Sequence, residues 1–139
     1  MKLLNYAKLM RVSHWIKNTL IVIPAFFGTA LVHTEIIFKL FSGFFVFSFC
    51  SSAIYIINDL CDIENDRLHP VKCNRPLASG TVSKTEAYIL LAVLLIFTFG
   101  LNFIICGFNL KALIPLVYLI LTLSYSLSLK NRPVTDIVI

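Results

Sequence analysis

Four of the seven carboxylates in this chain fall between Asp59 and Asp66, at the head of a polar stretch running from Asn58 to Gly80. If the preceding helix continues through them, Asp59, Asp62 and Asp66 recur at i, i+3 and i+7 and share one face, while Glu64 points elsewhere, toward solvent. Three like charges in a row repel, and more strongly at the edge of a low-dielectric medium than in water. A hard divalent cation is the natural compensation, because magnesium takes one or two carboxylates and completes its shell with water and phosphate oxygens. Arg67, Lys72 and Arg75 follow at once. They suit phosphate oxygens that a metal leaves uncovered, and Arg grips two at a time. This is a constellation for a phosphorylated group; the competing reading is a solvated loop whose acids pair with its bases. Pro70 and Pro76 stop the helix, and Gly80 permits a tight turn before the next element begins near Ser83.

The elements that must position these residues are apolar. The chain has 139 residues, 58% of them apolar and only 14% charged, with a mean hydropathy of +0.87. A soluble domain is about half apolar and a quarter charged, so a soluble enzyme, a disordered tail and a nucleic-acid module are excluded. Four runs approach or exceed the ~20 residues of a spanning helix. They predict transmembrane helices over 15–33, 36–58, 84–106 and 112–129, with residues 59–83 as a polar site loop. Residues 1–14 mix basic and apolar residues at helical spacing and predict an interfacial helix rather than a signal peptide. The fold class is therefore all-α, a polytopic transmembrane bundle. Pro24 and Pro115 are expected to kink their helices.

Charge orients the bundle. Ten of the twelve Lys and Arg lie before the first run, in the middle loop or after the fourth run, and only Lys39 and Lys111 lie on the other side. By the positive-inside rule the N-terminus, the middle loop and the C-terminal end face the cytoplasm, as in a plasma or inner membrane. Cys50, Cys61, Cys73 and Cys106 lack metal-ligand spacing and read as reduced core thiols. His14 and His33 read as interfacial, Trp15 as an aromatic-belt anchor, and Ser48, Ser51, Ser52 and Ala53 as a close-packing patch. His69 has two open roles, bonding a phosphate or orienting the loop ahead of Pro70. Tyr125 and Lys130 are site candidates whose other role is interfacial anchoring.

The polar stretch resembles the UbiA superfamily of intramembrane prenyltransferases. Asn58, Asp59, Asp62 and Asp66 match its motif N-D-x-x-D-x-x-x-D. The continuation is similar to the decaprenyl-phosphate phosphoribosyltransferase branch, with Arg67, His69, Pro70, Lys72, Arg75, Pro76, Ala78, Ser79 and Gly80 in place. Arg11, Trp15, Lys17 and Asn18 fit that branch's opening R-x-x-x-W-x-K-N, and Tyr125, Ser126, Leu129, Lys130 and Asp136 resemble the start of the second conserved region. The resemblance covers the whole chain. It implies an N-terminal part of a longer UbiA-type bundle, inactive on its own.

The resemblance also implies magnesium on Asp59, Asp62 and Asp66 as the catalytic carboxylates. Substrate contacts would come from Lys17, Asn58, Arg67, His69, Lys72, Arg75, Tyr125 and Lys130. The branch implies transfer of 5-phosphoribose from phosphoribosyl diphosphate to a polyprenyl phosphate, a step in making cell-envelope lipid precursors. Two alternatives stay open: transfer from a prenyl diphosphate to an aromatic acceptor, and a non-catalytic small membrane protein. The partners implied are the lipid substrate, phosphoribosyl diphosphate and the bilayer, with homo-oligomerisation left open and nucleic acid excluded.

Overall fold

The computed structural model describes residues 2–23, 27 and 34–125. Helix α1 (Lys2–Leu9) is followed by a 3-10 stretch, Val12–Val22, and then by the long helix α2 (Thr34–Cys61). A short helix α3 (Ile63–Leu68) and a 3-10 turn (Lys72–Asn74) lead to α4 (Lys84–Cys106). A second 3-10 turn (Leu110–Leu113) leads to α5 (Ile114–Ser124). Among the described residues there is no strand.

Helices α2 and α4 carry the architecture. At ~1.5 Å per residue they extend about 42 and 35 Å, against a hydrocarbon core of about 30 Å. Ile36–Cys61 and Lys84–Cys106 are both long and apolar enough to cross a membrane. They pack on each other along the most extensive helix–helix contact of the molecule. Only 17% of the most apolar window of α4 is buried, against 44% for α2. The outer face of α4, including Ile89, Ile96, Phe97 and Ile104, is open and suited to lipid. Helix α2 runs on to Cys61, so the expected loop is helical where its acidic row begins. The fourth apolar run appears as the shorter helix α5, and most of the first run beyond residue 23 lies outside the described residues.

Pro115 does not kink a helix. It occupies the first turn of α5, where its missing N–H costs no hydrogen bond and its fixed φ favours helix initiation; Pro24 lies outside the described residues. The start of α4 fits the expectation at Ser83. Its Oγ accepts the Glu86 N–H at 3.2 Å, and the Glu86 carboxylate accepts the Ser83 N–H at 2.8 Å, a reciprocal cap. Gly80 takes φ +75° in the turn before it, a conformation open to a residue without Cβ. The α4–α5 hairpin is tied by Asn102 Nδ2, which donates to the Ala112 carbonyl at 2.8 Å.

One apolar cluster lies under the polar stretch. Leu9, Ala53, Ile56, Ile63, Leu77, Val82, Ala87 and Leu94 join α1, α2, α3, the loop and α4. The acidic row therefore rests on a packed base. Of the four cysteines, all free, only Cys50 is buried. The core-thiol reading holds for that residue and not for exposed Cys61 or half-buried Cys106, which end α2 and α4, nor for half-buried Cys73 in the 3-10 turn.

Candidate functional site

The site forms where α2 ends. Asp62 leaves helical dihedrals, at φ −97° and ψ 8°. The hydrogen-bond ladder nevertheless continues: the Asp62 N–H reaches the Asn58 carbonyl at 3.0 Å, and the Asp66 N–H reaches the Asp62 carbonyl at 2.8 Å. Asp59 and Asp66 consequently keep one face across the junction. Each is only 3% exposed. Asp62, at the junction itself, is half-buried.

Two guanidinium groups answer the buried charges. Arg75 Nη1 donates to Asp66 Oδ2 at 2.7 Å and to Asp59 Oδ1 at 3.2 Å, so one nitrogen joins both carboxylates. Arg11 Nη2 donates to Asp59 Oδ1 at 2.9 Å. The Arg11 guanidinium also lies 4.3 Å from the centre of the Tyr55 ring, one helical turn before Asp59, in cation–π contact. Two carboxylates and two guanidiniums thus form a neutral cluster. Among the described residues no buried side-chain nitrogen or oxygen lacks a partner, as a low-dielectric polar site requires.

Arg11 belongs to the opening R-x-x-x-W-x-K-N segment but is not among the expected site residues. Its signal is conformational. Arg11 takes φ 51° and ψ 47°, a left-handed conformation that costs a non-glycine residue about 1 kcal/mol or more. That turn ends α1, with the Arg11 N–H on the Lys8 carbonyl at 3.1 Å, and sends the side chain to α2. The next residues of the segment dock on the same helix. Trp15 Nε1 donates to Ser52 Oγ at 3.0 Å, Ser52 Oγ donates to the Met10 carbonyl at 2.7 Å, and Asn18 Nδ2 donates to Ser48 Oγ at 3.0 Å. Ser48 and Ser52 are therefore more than a close-packing patch, and Trp15 is a helix-docking residue. His14 stacks edge-on against Tyr55 at 5.7 Å.

The other expected residues are placed as follows. Arg67 bonds Glu64 at 3.2 Å and the Ala78 carbonyl at 3.3 Å. Glu64 is exposed, as its position in the row predicts. His69 Nδ1 accepts the N–H groups of Val71 at 3.1 Å and Lys72 at 3.3 Å, which ties the ring to the turn that follows it. Lys72 and Lys17 are exposed, and Asn58 is half-buried. Tyr125 closes α5, and Lys130 lies outside the described residues. Glu86, not singled out by the sequence, accepts Tyr6 Oη at 3.0 Å and Lys2 Nζ at 3.4 Å, which pins α1 to α4. That hydrogen bond holds the Tyr6 phenol above its ordinary pKa.

Among the described residues no three Asp, Glu, His or Cys side chains converge to hold a metal ion by themselves. What the arrangement offers is two buried carboxylates on one cation, with half-buried Asp62 between them in sequence. This donor set fits magnesium's habit of taking one or two carboxylates and drawing its remaining ligands from water and substrate phosphate. It does not fit a closed protein cage.

A helical membrane protein with a buried carboxylate–guanidinium site at the end of a spanning helix is the class these observations define. The UbiA prenyltransferase family model matches residues 21–139, and the chain belongs to that family. It is 36% identical over 132 residues to a decaprenyl-phosphate phosphoribosyltransferase of Corynebacterium glutamicum, covering 94% of this chain and 40% of that protein. A Mycobacterium tuberculosis protein of the same name is 35% identical over 134 residues, covering 94% and 44%. A 4-hydroxybenzoate octaprenyltransferase of Yersinia pseudotuberculosis is 32% identical over 101 residues, covering 69% and 34%. The chain thus spans less than half the length of these curated relatives.

Proposed function

We propose that this chain carries the diphosphate-binding wall of a membrane transferase that moves 5-phosphoribose from phosphoribosyl diphosphate to a polyprenyl phosphate. The observation that carries the reading is the buried Asp59–Arg75–Asp66 bridge at the polar end of a spanning helix. It is supported by the likeness to decaprenyl-phosphate phosphoribosyltransferases over 94% of the chain, against 69% for the octaprenyltransferase.

The residues divide the work. Asp59, Asp62 and Asp66 would hold magnesium, which when bound supplies positive charge to a diphosphate leaving group. Arg75, at the rim of the cluster, binds phosphate oxygens, and Arg67 and Lys72 extend the positive surface along the loop. Asp59 and Asp66 orient both guanidiniums. His69 holds the turn that carries Lys72. Lys17 faces the 5-phosphate or the lipid phosphate. The lipid phosphate is already an anion near neutral pH, so no strong general base is required. Charge grows on the diphosphate as the anomeric bond breaks, and groups placed to meet that growth lower the barrier. The site loop faces the cytoplasm, and the lipid tail lies along the apolar helices.

Two experiments test this. The full-length protein is purified and incubated with labelled phosphoribosyl diphosphate and polyprenyl phosphate, and in parallel with prenyl diphosphate and an aromatic acceptor. Magnesium-dependent label in the lipid phase of the first reaction alone is expected; label in the second alone replaces phosphoribosyl by prenyl transfer. For topology, a Ser79→Cys variant lacking the native cysteines is treated in intact cells with an impermeant thiol reagent. Protection is expected, and labelling from outside reverses the orientation.

A further inference from the structure

Resting on the diphosphate-site reading, we propose that Arg75 is an exchangeable counter-cation: a divalent cation and a diphosphate enter together, the cation taking over the Asp59 and Asp66 oxygens while the guanidinium swings from them to the diphosphate.

The cluster is charge-balanced as it stands, with Asp59 and Asp66 against Arg11 and Arg75. Adding a divalent cation alone leaves two uncompensated positive charges beside a low-dielectric bundle. Adding a diphosphate alone leaves an excess of negative charge beside two buried carboxylates. Adding both lets each offset most of the charge the other brings, so each strengthens the other's binding.

The two arginines are not equivalent in this exchange. Arg11 is held by the Tyr55 ring at 4.3 Å as well as by Asp59, and its backbone turn ties it to the end of α1. Arg75 has no aromatic partner among the described residues; its guanidinium bonds only the two carboxylates there. Its side chain is 28% exposed while both acids beneath it are buried. Its backbone is fixed: the Arg75 N–H reaches the Lys72 carbonyl at 2.9 Å, and its carbonyl accepts the Ser79 N–H at 2.8 Å. A long side chain on a fixed backbone, at the rim of a buried pair, can change partners without unfolding the loop. Because Arg75 Nη1 already sits between Asp59 Oδ1 and Asp66 Oδ2, a cation that takes these oxygens must displace it.

The test uses manganese as a spectroscopic stand-in, titrated by electron paramagnetic resonance into the purified protein in detergent. Titrations are run with and without inorganic diphosphate, with diphosphate–manganese binding in solution subtracted. Wild type is expected to bind manganese about tenfold more tightly with diphosphate than without. Arg75→Gln is expected to bind manganese alone several-fold more tightly than wild type and to lose most of the diphosphate enhancement. Arg75→Lys, which keeps the charge, is expected to retain part of it. Fluorescence of the single Trp15 reports whether each variant is folded; if Arg75→Gln is not, the Arg75→Lys comparison decides. Weaker manganese binding by folded Arg75→Gln, an undiminished enhancement, or an enhancement in Arg75→Lys equal to wild type overturns the exchange. Manganese binding without any enhancement in wild type overturns the exchange alone. No manganese binding under either condition overturns the metal–diphosphate reading with it.

Discussion

Arg67, in α3, and Arg75, at the end of the 3-10 turn that follows it, meet carboxylates in opposite surroundings. Arg67 pairs with Glu64 at 3.2 Å, but the two side chains are 51% and 76% exposed. Arg75 bridges Asp59 and Asp66, which are almost fully buried. Distance does not separate the two sites; solvent does. Two unit charges 4 Å apart attract by about 1 kcal/mol in water and about 4 kcal/mol at the effective dielectric near a protein surface. An exposed pair is worth about 0–1 kcal/mol. Removing one partner of a buried pair costs roughly 3–5 kcal/mol, because the other charge is left desolvated. The exposed pair decorates the loop, and the buried bridge decides where the loop folds and where its charge is stored.

The largest effect is expected at the centre of the buried bridge. Asp59→Asn strands Arg11 and half of Arg75, and should lower stability by roughly 3 kcal/mol in denaturant titrations in mixed micelles and bring transfer by the full-length protein to background. A variant with near-normal stability would show that water reaches Asp59 and that the contrast with Glu64 is not one of burial.

Arg11 sharpens the comparison because it combines a buried pair with a strained backbone. Arg11→Ala and Arg11→Gly both lose the guanidinium, but only glycine relaxes at φ 51°. Both should be destabilised, with the glycine variant about 1 kcal/mol more stable than the alanine variant in the same titration. Equal stabilities would mean that the left-handed turn stores no strain.

Docking of the 3-10 stretch should respond less. Ser52→Ala removes the acceptor of Trp15 Nε1 and the donor to the Met10 carbonyl. The expected loss is about 1–2 kcal/mol, with a shift in Trp15 emission. An unchanged emission spectrum would place the indole outside that contact.

Glu64→Gln closes the series. Its loss should fall within about 0.5 kcal/mol, with transfer within about twofold of wild type. A loss as large as that of Asp59→Asn would break the comparison and the one-face arrangement with it.

Local spacing made much of this molecule legible. The long apolar runs announce α2 and α4, because a helix of that length and apolarity has few other stable solutions. Ser83 and Glu86 announce the start of α4, since a cap needs only residues three apart. The placement of Glu64 outside the row follows from 3.6 residues per turn. The contact of Arg11 with Asp59 crosses 48 positions and depends on a left-handed turn that no residue type advertises. The hydroxyls of Ser48 and Ser52 look like packing residues until an indole and an amide arrive from another segment. Pro115 reads as a kink or a start depending on where the helix begins, and α5 begins at Ile114.

The sequence by itself determined that this chain is a helical membrane protein with carboxylates in register at the end of a span, because hydropathy and helical period act between near neighbours. It did not determine which bases neutralise which acids. Twelve Lys and Arg compete for seven carboxylates, and any of them has the right charge. Only the tertiary structure selected Arg11 and Arg75 for Asp59 and Asp66 and left Arg67 with Glu64 in solvent. The physical reason is that a buried charge must find a partner within hydrogen-bond reach, and that reach is set by how α1, the loop and α2 pack on their shared apolar base.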